Sequence, residues 1–200
     1  KKVLITGCSG YIGQHLAKWM QDKYEVYGLD IQEPLDPSPF KQFFHWDVRE
    51  PFSDFAFDMY DMPREYDTVI HLAALVRVNE SMNEPKDYYD TNLNGTLNLM
   101  EALKCKNFVF ASTGAAEGCA SAYGTSKKAA EDCVREWCNY KKLPYTIFRF
   151  YNVIGSDGFK PTNPDGLMYN LLKAPERGEF TIYGNDYDTY HGDGTCVRDY

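Results

Sequence analysis

Three observations predict an α/β fold built on a doubly wound parallel sheet. Strand and helix signals alternate along residues 1–152, which is typical of a parallel sheet with helices on both faces. A glycine-rich turn lies between the first strand signal and the first helix signal. After residue 152 the composition shifts to Gly, Pro, Asn and Asp, so we expect a second, smaller unit over 153–200.

The first half of the chain predicts four short strands and a helix. Apolar runs of strand length lie at Lys2–Thr6, Glu25–Asp30, Phe43–Trp46 and Asp67–Leu72. The spacing of apolar residues over Tyr11–Gln21 predicts the helix that joins the first two strands. The proline-rich stretch 33–39 predicts a loop, because proline supplies no backbone donor.

The second half predicts longer helices. Leu93, Leu97, Met100 and Leu103 recur at helical spacing and predict one long helix over Glu84–Cys105. The same signals predict a helix at Ala122–Lys141 and strands at Asn107–Ala111 and Tyr145–Phe150. Beyond residue 152 they predict a helix at Leu167–Lys173 and a short strand at Phe180–Tyr183.

Composition excludes several classes of protein. The 200 residues carry a net charge of −8, which gives no basic surface for nucleic acid. The apolar runs are too short to cross a bilayer, and no leader peptide opens the sequence. Six cysteines and four histidines are dispersed without metal-ligand spacing. We therefore expect a soluble cytoplasmic protein with reduced thiols, no metal site and no membrane partner.

The glycine-rich turn predicts a site for a dinucleotide. Gly7, Gly10 and Gly13 lie where the pyrophosphate would meet the N-terminus of the first helix. Their spacing is G-x-x-G-x-x-G, and such a loop taken alone also occurs as an ordinary strand-to-helix turn.

Two aspartates at predicted strand ends extend this site. Asp30 closes the second strand, where a carboxylate accepts hydrogen bonds from the adenosine ribose and repels a 2′-phosphate, so NAD is favoured over NADP. Asp47 follows the third strand and could meet the adenine edge. Each is also compatible with a solvated turn aspartate.

Tyr123 and Lys127 form a candidate catalytic pair. They are four residues apart on a predicted helix and so share one face, where the ammonium would favour the phenolate form of the tyrosine. A phenolate is a general base, which an alcohol needs when it loses a hydride. Thr113 ends the preceding strand and could hydrogen-bond the reacting oxygen, although a strand-end threonine also caps turns.

Together these motifs resemble the extended short-chain dehydrogenase/reductase family. The glycine loop, H71-L72-A73-A74-L75, N92-L93-N94-G95-T96, S112-T113, Y123-G124-T125-S126-K127 and R149-F150-Y151-N152 occur in that family's order. The runs I182-Y183-G184-N185-D186-Y187 and D193-G194-T195-C196-V197-R198-D199-Y200 are similar to those of its UDP-glucose 4-epimerases. The resemblance implies a Rossmann-type NAD-binding domain at 1–152 and a partial substrate-binding region at 153–200.

The resemblance also implies roles for individual residues. Tyr11 and Ile12 would contact the pyrophosphate, and Asp47 with Val48 the adenine. The middle and the nicotinamide end of NAD would be held by Leu72, Ala73, Ala74, Asn92, Tyr123, Lys127 and Tyr151. Thr113 and Tyr123 would face the sugar, while the nucleotide diphosphate of the substrate would be bound by Asn152, Tyr183 and Arg198.

The implied activity is epimerisation at C4 of a UDP-hexose through a 4-keto intermediate. A uronic acid or N-acetyl sugar stays open as the substrate, as do a dehydratase or decarboxylase and a non-catalytic dinucleotide sensor. Dehydratases of this family place Asp-Glu after the active-site threonine, and here the positions hold Gly114 and Ala115. A homodimer through the helices near 84–105 and 122–141 is implied, with Val134, Trp137 and Cys138 either at that interface or in the core.

Three features depart from the family pattern. The segment between Thr113 and Tyr123 is short and lacks the usual valine-tyrosine-glycine close. Val76 stands where these epimerases commonly have lysine, with Arg77 beside it. No turn or cap marks the end at Tyr200, so we expect a truncated part of a longer protein.

Overall fold

The computed structural model describes residues 1–155 and 167–180. It divides into two compact units, Lys1–Phe150 and Tyr151–Tyr200. In the first unit the strands are β1 (Lys2–Thr6), β2 (Glu25–Asp30), β3 (Gln42–His45), β4 (Glu65–His71), β5 (Lys104–Thr113) and β6 (Tyr145–Phe150). They form one parallel sheet in the order β3-β2-β1-β4-β5-β6, which is the doubly wound Rossmann order and confirms the predicted fold class.

The described residues also form α-helices, which in chain order are α1 (Tyr11–Met20), α2 (Asp54–Met59), α3 (Val78–Asn83), α4 (Pro85–Tyr89), α5 (Gly95–Ala102), α6 (Ala115–Gly118), α7 (Ala122–Lys141) and α8 (Leu167–Arg177). A π-helical segment, Asp90–Asn94, lies between α4 and α5 and is called the π segment below. α8 belongs to the second unit. Of the strand predicted at Phe180–Tyr183, only Phe180 is among the described residues.

The sheet is apolar on both faces, as expected for parallel strands covered by helices. Alternate residues of β1 point to opposite sides: Leu4 joins a cluster with Leu99 and Val134 from α5 and α7. Ile5 joins a second cluster that includes Ala17 of α1. The helices therefore bury both faces and leave the edge at the carboxyl ends of the strands for the loops.

The long helix predicted over Glu84–Cys105 is wrong in two respects. Its α-helical pattern is interrupted, because the π segment separates α4, which begins at Pro85, from α5. It also ends earlier, since the backbone turns extended at Leu103 and Cys105 pairs with β4 as part of β5. Apolar periodicity did not reveal these breaks.

Candidate active site at the carboxyl edge of the sheet

The glycine loop joins β1 to α1 and packs against the end of β4. Gly7 has φ +68°, a conformation that favours glycine. A Cβ at Gly7 would lie 2.6 Å from the backbone nitrogen of Ala73, and one at Gly13 would lie 2.4 Å from the carbonyl oxygen of Gly7. Side chains at these two positions would collide with the protein's own backbone, so the two glycines let the loop pack closely on the end of β4 and on the start of α1.

The N-terminus of α1 has the properties of an anion site. Gly10 is its N-cap and provides no side-chain cap, and the first turn holds no acidic residue. Tyr11 and Ile12, the predicted pyrophosphate contacts, are the first two residues of the helix. Backbone N–H groups and the positive end of the helix dipole are thus directed at one point beside the glycine loop.

Asp30 lies at the end of β2 next to this loop. Its Oδ2 accepts the backbone N–H of Ser9 at 2.9 Å, and its Oδ1 accepts that of Gln32 at 3.0 Å. These bonds orient the carboxylate, and each oxygen keeps a further acceptor site for a ribose hydroxyl. The negative charge so close to the loop disfavours a 2′-phosphate.

Asp47 and Val48 are already engaged by the protein. The Asp47 carboxylate accepts the Nε of Arg49 at 2.9 Å and its terminal nitrogen at 2.6 Å. These hydrogen bonds hold the pKa of Asp47 below its usual value. Val48 is buried against α5, where a Cβ at Gly95 would lie 2.7 Å from its Cγ2.

A buried chain of hydrogen bonds fixes the end of β4. The backbone N–H of Ala73 donates to Thr6 Oγ1 at 3.3 Å, and this hydroxyl lies 2.6 Å from His71 Nδ1. On the other side, His71 Nε2 lies 2.9 Å from Thr96 Oγ1, which donates to the carbonyl of Asn92 at 2.7 Å. Because the Thr96 proton is used there, Nε2 must be the donor and Nδ1 the acceptor for the Thr6 hydroxyl.

His71 is neutral in this arrangement. Burial, with the charge of Lys127 adding to it, lowers the pKa of His71 to about 3. The neutral ring forms one hydrogen bond with the Thr6 hydroxyl of β1 and one with the Thr96 hydroxyl of α5. These bonds link β1, β4 and α5 next to the predicted cofactor contacts Leu72, Ala73 and Ala74. These three residues follow β4 directly.

Asn92 connects this region to the catalytic helix. Its Oδ1 accepts the N–H of Leu75 at 2.9 Å, and its Nδ2 donates to the Leu75 carbonyl at 3.0 Å and to Ser126 Oγ at 3.1 Å. Ser126 in turn donates to the carbonyl of Tyr123 at 2.9 Å. Asn92 is thus a buried brace between the end of β4 and α7.

Thr113 and Tyr123 meet beside the short segment that joins β5 to α7. This segment contains α6, a left-handed residue at Cys119 with φ +48°, and Ser121 as the N-cap of α7. A Cβ at Gly124 would lie 2.4 Å from the carbonyl of Ala115, so α6 packs directly on the start of α7.

The phenol of Tyr123 is a weaker acid here than in water. Burial raises the pKa of Tyr123, and the hydrogen bond with Thr113 acts in the opposite direction. The ring also packs edge-to-face on buried Tyr88, with centroids 6.3 Å apart. Lys127 therefore does not convert this phenol into a base by itself, although the helical spacing led us to expect a shift toward the phenolate.

Lys127 is buried on the same face of α7, with 2% of its surface exposed. Its Nζ lies 4.2 Å from the centroid of the Phe110 ring. Burial lowers the pKa of Lys127 to about 7, and the charge of Glu131 opposes this effect. In the described part of the chain no carboxylate accepts a hydrogen bond from the ammonium, so its donors suit an added group such as the hydroxyls of a ribose.

Other predicted residues lie elsewhere. Tyr151 and Asn152 belong to the second unit, and Tyr183 and Arg198 lie outside the described residues. Arg77, beside the substituted Val76, donates to Glu80 at 3.0 Å. Val134 and Cys138, which we considered for a dimer interface, are fully buried in the core of the unit.

Sequence reasoning missed the partners that support this site. They are Thr6, Thr96, Ser126, Glu131 and Arg149. Thr96, Ser126 and Arg149 lie inside the family motifs quoted above, and Glu131 follows Lys127 by four residues on the same predicted helix, but no role was assigned to any of them.

Within residues 1–155 and 167–180, no three His, Cys, Asp or Glu side chains are grouped so as to hold a metal ion. In the same ranges, no helix is long and apolar enough to cross a membrane.

Comparison with known proteins gives one consistent family. Residues 3–200 match the NAD dependent epimerase/dehydratase family. The UDP-glucose 4-epimerase of Lactobacillus helveticus is 32% identical over 100% of this chain and 67% of its own length. The probable UDP-arabinose 4-epimerase 3 of Arabidopsis thaliana is 31% identical over 99% of this chain and 57% of its own length. This chain thus spans about two thirds or less of these two relatives.

Solved structures agree in fold. A crystal structure of UDP-glucose 4-epimerase is 30% identical with a TM-score of 0.82, covering 100% of this chain and 68% of that one. A UDP-glucuronic acid 4-epimerase from Bacillus cereus, solved in complex with UDP-glucuronic acid and NAD, is 26% identical with a TM-score of 0.76, covering 93% and 67%. The match over residues 3–200, together with the glycine loop and the Rossmann strand order, establishes that the chain belongs to the NAD dependent epimerase/dehydratase family.

Proposed function

We propose that the protein epimerises a UDP-hexose of the glucose/galactose type at C4, through a 4-keto intermediate and with NAD as its cofactor. The observation that carries this proposal is the meeting of Thr113 and Tyr123 at the carboxyl edge of the sheet, with buried Lys127 one turn further along α7. The similarity to UDP-sugar 4-epimerases supports it.

The residues of the carboxyl edge fit NAD. The tight glycine loop and the uncapped start of α1 suit its pyrophosphate, and Asp30 suits the adenosine ribose. Leu72, Ala73 and Ala74, braced by Asn92, would line its middle, and Lys127 would bind the second ribose. When bound, NAD supplies a hydride acceptor that takes the C4 hydrogen of the sugar and later returns it.

Tyr123 would move the proton that accompanies this hydride. In the forward half-reaction its phenolate accepts the C4 hydroxyl proton as the C4–H bond breaks, which leaves a ketone at C4. In the return half-reaction the phenol would give the proton back to the C4 oxygen of the turned sugar. No net oxidation results.

The environment of Tyr123 sets the conditions for this step. Burial holds its proton on, so the phenolate needs positive charge nearby and a hydrogen-bond donor. The Lys127 ammonium would provide the charge, and the Thr113 hydroxyl would provide the donor. After proton transfer the neutral phenol returns to the state that burial favours.

The nucleotide half of the substrate would be held outside the first unit. We assign Arg198 to the diphosphate, because guanidinium forms charge-assisted, bidentate bonds to phosphate. Tyr183 would lie beside the uracil, and Asn152 would add a hydrogen bond. Anchoring the diphosphate lets the keto sugar turn over without leaving, which uses binding energy remote from C4.

The sugar itself is the open part of the proposal. Relatives named for UDP-arabinose and UDP-glucuronic acid make a pentose or a uronic acid the main alternatives, and an N-acetyl sugar is another. A dehydratase is disfavoured by Gly114 and Ala115, and nearby Glu117 contacts Arg149. A decarboxylase is a further alternative on the same scaffold. A non-catalytic sensor is disfavoured because Tyr123 and Lys127 are both present.

We further propose a cytoplasmic homodimer that pairs through α5 and α7. The free cysteines of the described residues, which are Cys8, Cys105, Cys119, Cys133 and Cys138, are consistent with a reducing compartment. Since Val134 and Cys138 are in the core, the contact would use outward residues such as Tyr140. Light scattering of the complete protein measures the oligomeric state directly.

Replacing Tyr123 by Phe tests the catalytic assignment. The complete protein is incubated with UDP-galactose, UDP-arabinose, UDP-glucuronic acid and UDP-N-acetylglucosamine in turn, and the C4 epimer is measured by NMR. We expect turnover of UDP-galactose and a loss of about 10²- to 10⁴-fold in Tyr123→Phe. Tyr24→Phe, at an exposed position just before β2, should keep full activity.

Each other outcome has a defined meaning. Turnover of a different UDP-sugar moves the proposal to that substrate, and 4,6-dehydrated or decarboxylated product moves it to those reactions. A Tyr123→Phe variant that retains most of the rate removes Tyr123 as the base. Cofactor bound without any turnover favours the sensor.

A further inference from the structure

Glu131 is a fully buried carboxylate that lies one turn after Lys127 on α7. Its exposure is 0%, and that of Lys127 is 2%. Residues four apart lie on one helix face, so Tyr123, Lys127 and Glu131 form one line along α7. Ionised side chains are rarely buried unless they are paired, so a buried carboxylate next to a buried lysine needs an explanation.

Guanidinium groups hold Glu131 in its ionised form. Arg149 of β6 donates through Nε to Oε1 at 2.8 Å and through a terminal nitrogen to Oε2 at 2.8 Å. Arg135, one turn further along α7, donates to Oε2 at 2.9 Å. Burial favours the neutral acid, but these bonds outweigh it and hold the pKa of Glu131 at about 2. The carboxylate is therefore charged at neutral pH.

Among the described residues, Glu131 is the one negatively charged group that acts on Lys127. His71 faces it from β4 as a neutral ring, and Phe110 presents its ring from β5. Tyr123 on α7 is protonated, and the ring of Tyr88 packs on Tyr123 from α4. Burial lowers the pKa of Lys127 and so favours the neutral amine, and the negative charge of Glu131 opposes this effect.

We propose that Glu131, locked by Arg149 and Arg135, is a positioning residue that keeps Lys127 in the ammonium form its role requires. It touches neither the cofactor nor the sugar and acts through Lys127. This inference rests on the proposed function for the role of Lys127, but the effect on Lys127 itself is independent of the substrate. The same lock joins α7 to β6, and Arg149 extends it to Glu117 of α6 at 3.4 Å.

The direct test is an NMR titration of the lysine side chains, labelled with ¹³C at Cε, in the complete protein. Lys127 is assigned by the signal that disappears in Lys127→Met. In Glu131→Gln we expect the titration of Lys127 to move to lower pH by about one unit or more, as for the loss of a nearby opposite charge. In Glu131→Asp, which keeps the charge, the shift should be much smaller.

Two neighbouring residues provide controls. Asp132 also pairs with Arg135, at 2.8 Å, but is 51% exposed. Asp132→Asn makes the same change in net charge as Glu131→Gln and should leave Lys127 unchanged. Arg135→Gln leaves Glu131 charged through Arg149 and removes a positive group, so the titration should move to higher pH. A purely structural role for the lock does not predict this reversal of sign.

The pH profile of the reaction gives a second readout. The limb of the kcat profile that reports loss of the ammonium should move to lower pH in Glu131→Gln and return in Glu131→Asp. An unshifted Lys127 titration in Glu131→Gln, or the same shift in Asp132→Asn, overturns the inference. If Glu131→Gln does not fold, the direction found with Arg135→Gln decides. Absence of epimerase activity in the wild type would refute the proposed function and leave the titration result standing.

Discussion

Replacing Lys127 by Met should make the protein more stable while it removes activity. In the unfolded chain a lysine has a pKa near 10.5, and burial lowers that of Lys127 to about 7. Between these values the unfolded state binds a proton that the folded state has lost, so folding is penalised. The penalty is absent above pH 10.5, grows as the pH falls to about 7, and is constant below that.

The size of the effect follows from the difference of about 3.5 units between these two pKa values. At about 1.4 kcal/mol per unit, the penalty is about 4 kcal/mol at pH 7 and about 2 kcal/mol at pH 9. Methionine has a similar length, no charge, and a thioether that packs well on an aromatic ring such as Phe110. Glu131 keeps Arg149 and Arg135, so the substitution leaves no buried charge unpaired.

Urea unfolding of wild type and Lys127→Met at pH 7 and pH 9 measures the prediction. Both proteins are first stripped of nucleotide, because a bound ligand stabilises only the folded state. We expect the variant to gain about 4 kcal/mol at pH 7 and about half as much at pH 9. Lys128→Met, at the next, partly exposed position, should change stability by less than about 1 kcal/mol.

Two results would refute this reasoning. If Lys127→Met is no more stable than the wild type at pH 7, burial of the lysine is not costly. If the gain is equal at pH 7 and pH 9, it comes from packing and not from the charge.

Two further predictions concern the cofactor and acid stability. Asp30→Ala should reduce the preference for NAD over NADP by about tenfold, because the carboxylate that repels a 2′-phosphate is lost. Calorimetric titration with both nucleotides measures this preference. An unchanged ratio of the two affinities would mean that residues other than Asp30 discriminate between the nucleotides. The folded-state pKa of His71 is lowered from 6.5 to about 3, so the unfolded state binds the extra proton and stability should fall as pH drops through that window. His71→Gln should flatten this slope in acid unfolding curves by about one proton, and parallel curves for the two proteins would contradict it.

The fold was predictable from the sequence where the signal was local and strong. Buried parallel strands are short apolar runs, so β1, β2 and β6 have the predicted bounds. The bounds of α7 were also correct, since Ser121 caps its start. α2, α3 and α6 were missed because helices of six, six and four residues are too short to show apolar periodicity.

The candidate site divides in a similar way. Tyr123, Lys127 and the glycines were recognisable because their spacing along the chain carries the chemistry. The partners of His71 are 65 and 25 residues away in sequence, and nothing local in Thr6 or Thr96 indicates a buried hydroxyl bonded to an imidazole. The raised pKa of Tyr123 depends on burial, which spacing does not report.

The π segment at Asp90–Asn94 has a consequence for how relatives should be aligned. A π turn holds about one residue more than an α turn, so a chain that lacks one residue here closes the segment as an ordinary α turn while α4 and α5 keep the faces they present. Leu99 and Met100 would stay in the core, but Asn92 would turn away from Leu75 and Ser126. A one-residue gap at this place in a relative therefore signals a rebuilt link between the cofactor side and α7, within an unchanged fold.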